Sequence, residues 1–429
     1  MPTSISRLLE PKRLVVALVG RLLCYGFGGL ALSLFSANDV VAQPPVFESL
    51  SVLKPPTSGV AQEPYLAVAG NSLVMSWMVP TISETLVQFA RLDDGGWSEP
   101  VTVGRGKDLF VNWADFPSVA AFGSSNIALH WLRKAGDSSY GYHVELSLSN
   151  DMGRTWSDPI VPYDDRSDQQ HGFVTMSGAP DGGLDLLWLD ARAYGRNGLL
   201  EKTDATHLRA TRINAAGKLE NDYPVDMKTC SCCQTTSARL GDGSLVVAYR
   251  DRTDEEIRDI SVVRLLDSAW TDPVTVHHDG WEISGCPVNG PAIAAQGDRV
   301  AVAWFTAADD VAVVKLAFSE DKGTSFAAPA RISLGDPLGR VDTLLLDDGS
   351  VLVIWLEWQD DDEVLLVCRA VEGRGCVKRQ VLARNASASS MNFPRMVQIG
   401  RSVYLAWTAP LNASRSTVTV LHGRLGVLE

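Results

Sequence analysis

Residues 290–331 read GPAIAAQGDRVAVAWFTAADDVAVVKLAFSEDKGTSFAAPAR. A small-residue run, AIAAQ, is broken at Gly297-Asp298. The apolar run RVAVAW follows and ends on Trp304, then VVKLAF, a polar turn and a last short extended stretch. Apolar and polar residues alternate within the runs, and Gly, Asp and Ser cluster between them. This is the signature of four short antiparallel strands joined by tight turns.

The same phrase recurs along the chain. Its second strand is SLVMSW, IALHW, LDLLW, SLVVAY, RVAVAW, SVLVIW or SVYLAW, ending on Trp77, Trp131, Trp188, Tyr249, Trp304, Trp355 and Trp407. The aromatics recur about every 55 residues, and a four-stranded unit at such a period predicts an all-β chain folded as a β-propeller. Seven units are counted, with six blades as the alternative. The last unit shows three strands only, so residues 46–53 (VFESLSVL) are expected to supply its fourth and close the ring. An unclosed ring would leave bare sheet edges.

The chain's 429 residues carry a net charge of −13, which argues against nucleic acid as a partner. Arg7, Lys12 and Arg13 precede two apolar runs separated by Arg21, and Val40 and Ala42 suit a cleavage site before Gln43. Residues 1–42 therefore read as a signal peptide, with 43–429 as the propeller. The expected location is periplasmic or secreted, or membrane-anchored if the segment is not cleaved. Removing Cys24 with that segment leaves six cysteines, an even number suited to disulfides. Cys368 and Cys376 flank a short turn and suit a hairpin staple. Cys230, Cys232 and Cys233, with Cys286 from the next unit, suit disulfides, a zinc or copper ion, or a redox thiol. Asn385 and Asn412 begin Asn-Ala-Ser sequons.

In a propeller, turns leading into first strands and turns leaving second strands share one face. That face collects His171, the cysteine run, Asn289, Arg340, Asp190, Arg192, Arg250, Asp251, Arg252, Glu256, Arg258 and Asp259. Arg192, Arg250, Arg252, Arg258 and Arg340 suit bidentate bonds to an anion, with His171 and Asn289 as further ligand contacts. Asp190, Asp251, Glu256 and Asp259 are the acid–base candidates. Arg–Asp pairs that satisfy one another between blades are the alternative.

Two turns carry the pattern S-x-D-x-G-x-x-W/F. They are Ser149, Asp151, Gly153 and Trp156, and Ser319, Asp321, Gly323 and Phe326. On these the chain resembles the sialidase-like, Asp-box (BNR) β-propeller superfamily. The resemblance implies that these residues are structural, that no cofactor is required, and that the channel mouth acts on acidic glycans as an exo-α-sialidase-like glycosidase. It departs from the family's F/Y-R-I-P motif, where Glu63-Pro64-Tyr65 stands instead, and from its six blades. An acidic sugar or other small anion is the expected partner. A non-catalytic binding or assembly propeller with an envelope protein partner, and a metal or thiol-redox role for the cysteines, are the alternatives.

Overall fold

The computed structural model describes residues 45–57, 59–194, 205–386 and 390–428. The segment 1–42 lies outside them, as does Ser387 of the first sequon.

Seven sheets form seven blades. Blade 1 comprises Gln62–Ala69, Ser72–Pro80, Thr85–Asp93 and Val101–Gly106, and blade 2 Ser118–Phe122, Asn126–Lys134 and Tyr142–Ser149. An isolated bridge, Leu146 to Ile160, holds the fourth position of blade 2. Blade 3 is His171–Gly178, Leu184–Asp190, Thr206–Ile213 and Tyr223–Thr229; blade 4 is Thr236–Arg239, Leu245–Arg250, Ile260–Leu266 and Val274–Thr275. Blade 5 is Ala292–Gln296, Arg299–Thr306, Val313–Ser319 and Ala330–Arg331. Blade 6 is Asp336–Leu345, Val351–Gln359, Asp362–Val371 and Gly375–Asn385. Blade 7 is Arg395–Ile399, Ser402–Asn412 and Arg415–Leu425, completed by the N-terminal strand Phe47–Leu53. Among the described residues the only helical turn is Ala308–Asp310.

The burial of each strand explains its composition. Second strands are covered on both faces by neighbouring blades, so Leu184–Asp190 and Leu245–Arg250 are buried throughout. Such strands read as continuous apolar runs. Their tryptophans fill the spaces between blades, and Trp77, Trp131, Trp188, Trp304 and Trp355 are almost wholly inaccessible. Four of the indole N–H groups donate to a carboxylate: Trp131 to Glu145 at 2.6 Å, Trp188 to Asp190 at 2.8 Å, Trp304 to Asp279 at 2.7 Å and Trp355 to Glu357 at 2.9 Å. Buried N–H groups require such partners.

First strands begin irregularly. Glu63, Phe173, Val288, Arg340 and Asn392 adopt positive φ at or just before the innermost strands of blades 1, 3, 5, 6 and 7. The register skips at this point in blades 1, 3 and 6. Pro64, Pro117, Pro291 and Pro394 stand at the same level, where a missing N–H costs no ladder bond. Non-glycine residues held at positive φ are concentrated at functional surfaces.

The two patterned turns are built alike. Ser149 Oγ accepts from the Gly153 N–H (2.9 Å), and Asp151 Oδ1 accepts from the N–H groups of Arg154 (3.0 Å) and Thr155 (2.9 Å). Ser319 and Asp321 repeat this with Gly323 (2.8 Å), Thr324 (3.0 Å) and Ser325 (2.9 Å). The hydrogen bonds hold both aspartates well below the usual carboxylate range, at about 2. Trp156 packs edge-on to Phe89 of the preceding blade, and Phe326 packs on blade 4.

Gly153 (φ +84°) and Gly323 (φ +78°) need the left-handed conformation, but their surroundings differ. A Cβ on Gly153 would meet the Phe89 ring at 2.1 Å, whereas one on Gly323 would meet nothing closer than 3.5 Å. Gly323→Ala should cost about 1–2 kcal/mol from backbone strain alone. Gly153→Ala adds overpacking and should cost about 3–4 kcal/mol. Denaturant unfolding of the two variants checks this, and equal losses would contradict it.

Candidate functional site

The turns leading into first strands and leaving second strands lie on one face. His171 pairs with Asp190 across blade 3, and Thr229 bridges Asp251 beside blade 4. The patterned turns lie at the other end, where the Met152 N–H donates to Ser125 O. On the first face the polar residues form two separate groups.

One group spans blades 3 to 5, and most of its members are engaged internally. Arg250 is 1% exposed; its guanidinium donates to the carbonyls of Asn289 (2.9 Å), Arg258 (2.6 Å) and Phe305 (2.7 Å) and lies over Trp281. This corrects its assignment as an anion ligand: it clamps blade 4 to blade 5. Asp190 is fully buried and accepts from the Trp188 indole and from Arg192. Asp259 accepts from the N–H groups of Gly280 (2.9 Å) and Trp281 (3.1 Å) and pins that loop. Both are corrected from acid–base candidates to structural acceptors. Glu256 is bracketed by Arg252 and Arg258, whose bonds hold its carboxyl at about 2, so it retains no proton to donate. Arg192 pairs with Asp190 and Asp222. Asp251 accepts from Ser261 at 2.9 Å, and burial lifts its carboxyl to about 6. His171 is inaccessible, bonded to Asp165 at 2.8 Å and stacked on Tyr163. The Asp165, His171 and Asp190 atoms lie close enough to share an ion, yet Arg192 already neutralises Asp190.

The cysteines divide into bonded and free. Cys232 is joined to Cys286, and Cys368 to Cys376, the hairpin staple expected. Cys230 and Cys233 are buried thiols.

The second group surrounds the axis at blades 6, 7, 1 and 2, and sequence reading found only Arg340 of it. Trp113, from the connector into blade 2, stacks on Phe393 with ring centroids 5.8 Å apart, and Arg340 lies 4.6 Å above its ring. Trp113 stays 39% exposed. Asn289 fixes the Arg340 backbone by accepting its N–H at 2.8 Å, a positioning role and not the direct ligand contact expected. Glu63 lies beneath, accepting from Asn392 Nδ2 at 2.8 Å. Burial raises its carboxyl to about 8, against the opposing Asn392 bond and the Arg340 charge. Asp115 accepts from Tyr142 Oη at 2.7 Å and the Phe173 N–H at 2.8 Å, and burial lifts it to about 7. Arg395 lies over Tyr65 and Phe116.

Below this mouth the axis narrows to a cavity of ≈ 20 Å³. That holds about one water and is too small for a sugar. A larger cleft of ≈ 600 Å³ lies between blades 3 and 4 at the other end, but its Arg212 and Arg239 are already paired with Asp181 and Asp185. The signal missed in the sequence was the proline at the first strands of blades 1, 2, 5 and 7. The residues just before it, Glu63, Asp115-Phe116, Asn289-Gly290 and Asn392-Phe393, form much of the mouth.

No family model matches the chain, and no curated protein matches it. Its fold is similar to that of an ulvan lyase, described as a new family of polysaccharide lyase and bound to GlcA(1-4)Rha3S, with TM-score 0.60 and 11% identity over 88% of this chain and 97% of that one. A protein of unknown function from Dyadobacter fermentans gives TM-score 0.50 and 14% identity over 74% and 97%. A mutant of the NanB sialidase from Streptococcus pneumoniae gives 0.49 and 9% over 87% and 94%. The chain is a seven-bladed β-propeller, the kind of scaffold that its two patterned turns imply.

Proposed function

We propose that the axial mouth binds an acidic glycan and cleaves it, with Glu63 donating a proton to the departing glycosidic oxygen. The observation that supports this most is the half-exposed Trp113 ring, stacked on Phe393 and roofed by Arg340, beside a carboxyl that keeps its proton at neutral pH. The exposed edge of Trp113 offers an apolar contact to a sugar ring, and the Arg340 guanidinium, which also pairs with Glu363 at 3.6 Å, suits a carboxylate or sulfate. Hydrolysis and elimination both require protonation of the leaving oxygen, and a raised carboxyl serves that role. The similar fold of an ulvan lyase bound to a uronate-containing unit agrees with the ligand class. Export of the propeller after loss of residues 1–42 would place it where such glycans occur.

The test is calorimetric titration of the full chain with uronate-bearing, sulfated and sialylated oligosaccharides against neutral ones, followed by assay for new chain ends. Trp113→Ala should weaken binding about 30-fold, the effect of losing an aromatic worth about 2 kcal/mol. Arg340→Gln should erase the preference for acidic over neutral sugars. Absence of binding to every acidic sugar would defeat the proposal. Binding without turnover would leave the mouth as a non-catalytic recognition site.

A further inference from the structure

Four sulfurs cluster beside blades 4 and 5, with Cys230, Cys232 and Cys233 Sγ all within 4.8 Å of one another. Cys233 Sγ lies 3.4 Å from Cys230 Sγ, which lies 3.8 Å from Cys232 Sγ, which is bonded to Cys286. Burial differs across the cluster: Cys233 and Cys230 are inaccessible, Cys232 is half-buried and Cys286 is exposed. Arg258 Nη1 lies 3.5 Å from Cys230 Sγ, and Arg250 adds a second positive charge nearby. Two guanidinium groups oppose a bound cation but favour a thiolate. The hydrogen bond from Cys233 and these charges lower the Cys230 pKa, while burial raises that of Cys233. Exchange begins with a thiolate close to one sulfur of a disulfide, and Cys230 Sγ lies 3.8 Å from Cys232 Sγ.

We propose that the cluster is a thiol–disulfide relay that moves a disulfide between the exposed pair Cys232–Cys286 and the buried pair Cys230 and Cys233. The Cys230 thiolate attacks Cys232 Sγ. A Cys230–Cys232 bond forms, the Cys232–Cys286 bond breaks, and Cys286 leaves as a thiolate that takes a proton from water. Cys233 then attacks Cys230 Sγ, forming Cys230–Cys233 and breaking Cys230–Cys232, and its proton passes to the departing Cys232 sulfur, which lies within 4.8 Å. Two buried thiols thus become a disulfide, the outer disulfide becomes two thiols, and no outside oxidant is consumed. The outer dithiol next reduces a low-molecular-weight or protein disulfide by two similar exchanges, which restores Cys232–Cys286 and releases two thiols. An external dithiol attacking the outer pair returns the electrons by the reverse route.

The test uses the full chain, oxidised and then given one equivalent of dithiothreitol without air, quenched in acid, alkylated and mapped by mass spectrometry, with Cys368–Cys376 followed separately. Both Cys232–Cys286 and Cys230–Cys233 should occur in the same sample, with Cys286 alkylated wherever the inner pair is joined. Cys230→Ser should retain only the outer disulfide and slow reduction of a chromogenic disulfide about 100-fold. Cys286→Ser gives an independent check: mild oxidation should join Cys230 to Cys232 or Cys233. The relay is overturned if the natural chain shows the outer linkage alone with two inner thiols. It is equally overturned if oxidised Cys286→Ser keeps three thiols, or if the four cysteines retain stoichiometric zinc or copper.

Discussion

Glu63→Gln should lower turnover of an acidic glycan by about 10²- to 10⁴-fold, the usual contribution of a positioned general acid. The amide keeps the shape of the side chain but has no proton to transfer. In the folded chain Glu63 keeps its proton up to about pH 8, compared with an ordinary value of 4.5. The natural protein's rate should therefore fall as pH rises through about 8. Stability follows the same group. Between pH 4.5 and about 8 the folded chain holds a proton on Glu63 that the unfolded chain has released, so the Glu63 contribution to stability is fully present below 4.5 and is lost as pH rises through this window. Asp115, lifted to about 7, acts in the same direction, so the Glu63 component must be isolated by comparing protein and variant. Glu63→Gln should unfold at a higher temperature than the natural protein above pH 8, with the gap closing toward pH 5. Thermal unfolding and a pH–rate profile from 5 to 10 provide the measurements. An active variant with an unchanged alkaline limb would remove Glu63 from the mechanism.

Phe47→Ala should destabilise the propeller by about 3–5 kcal/mol, the range for truncating a buried Phe. Phe47 is 3% exposed and belongs to the cluster between blades 6 and 7, with Leu352, Leu365, Leu405 and Leu421. Its ring lies against Gly423, where a Cβ would approach it to 2.6 Å. The backbone N–H groups of Val46 and Phe47 both donate to Gln380 Oε1 of blade 6, while Phe47–Leu53 pairs with Arg415–Leu425 of blade 7. One short strand thus joins the two ends of the chain, and its loss frees an edge and two blade faces together. Urea titration should show the lower midpoint. A loss near zero would mean that the ring closes without this side chain.

Composition and periodicity were enough for the scaffold because the scaffold is repetitive. Second strands enclosed by blades must be largely apolar, and each carries toward its far end an aromatic able to fill the space between blades, so Trp77 to Trp407 mark the units from the sequence alone. The two patterned turns were legible for the same local reason, since Ser149, Asp151 and Gly153 bond within a few residues of one another. Cys368 and Cys376 flank a hairpin, and nearness in sequence there means nearness in space. The face carrying the polar turns also followed, because up-and-down strands alternate ends.

Only the tertiary structure decided which polar residues are satisfied within the fold. In sequence Arg250 reads as an anion ligand and Asp190 and Asp259 as acid–base residues, but they satisfy backbone groups and indole N–H groups that only packed blades create. Glu63 from the first strand of blade 1, and Trp113 and Asn392 from two connectors, lie far apart in sequence and carry no mutual spacing. Their meeting, and the retained proton on Glu63, arise from ring closure, which removes water from a carboxyl that would ionise freely on an open chain.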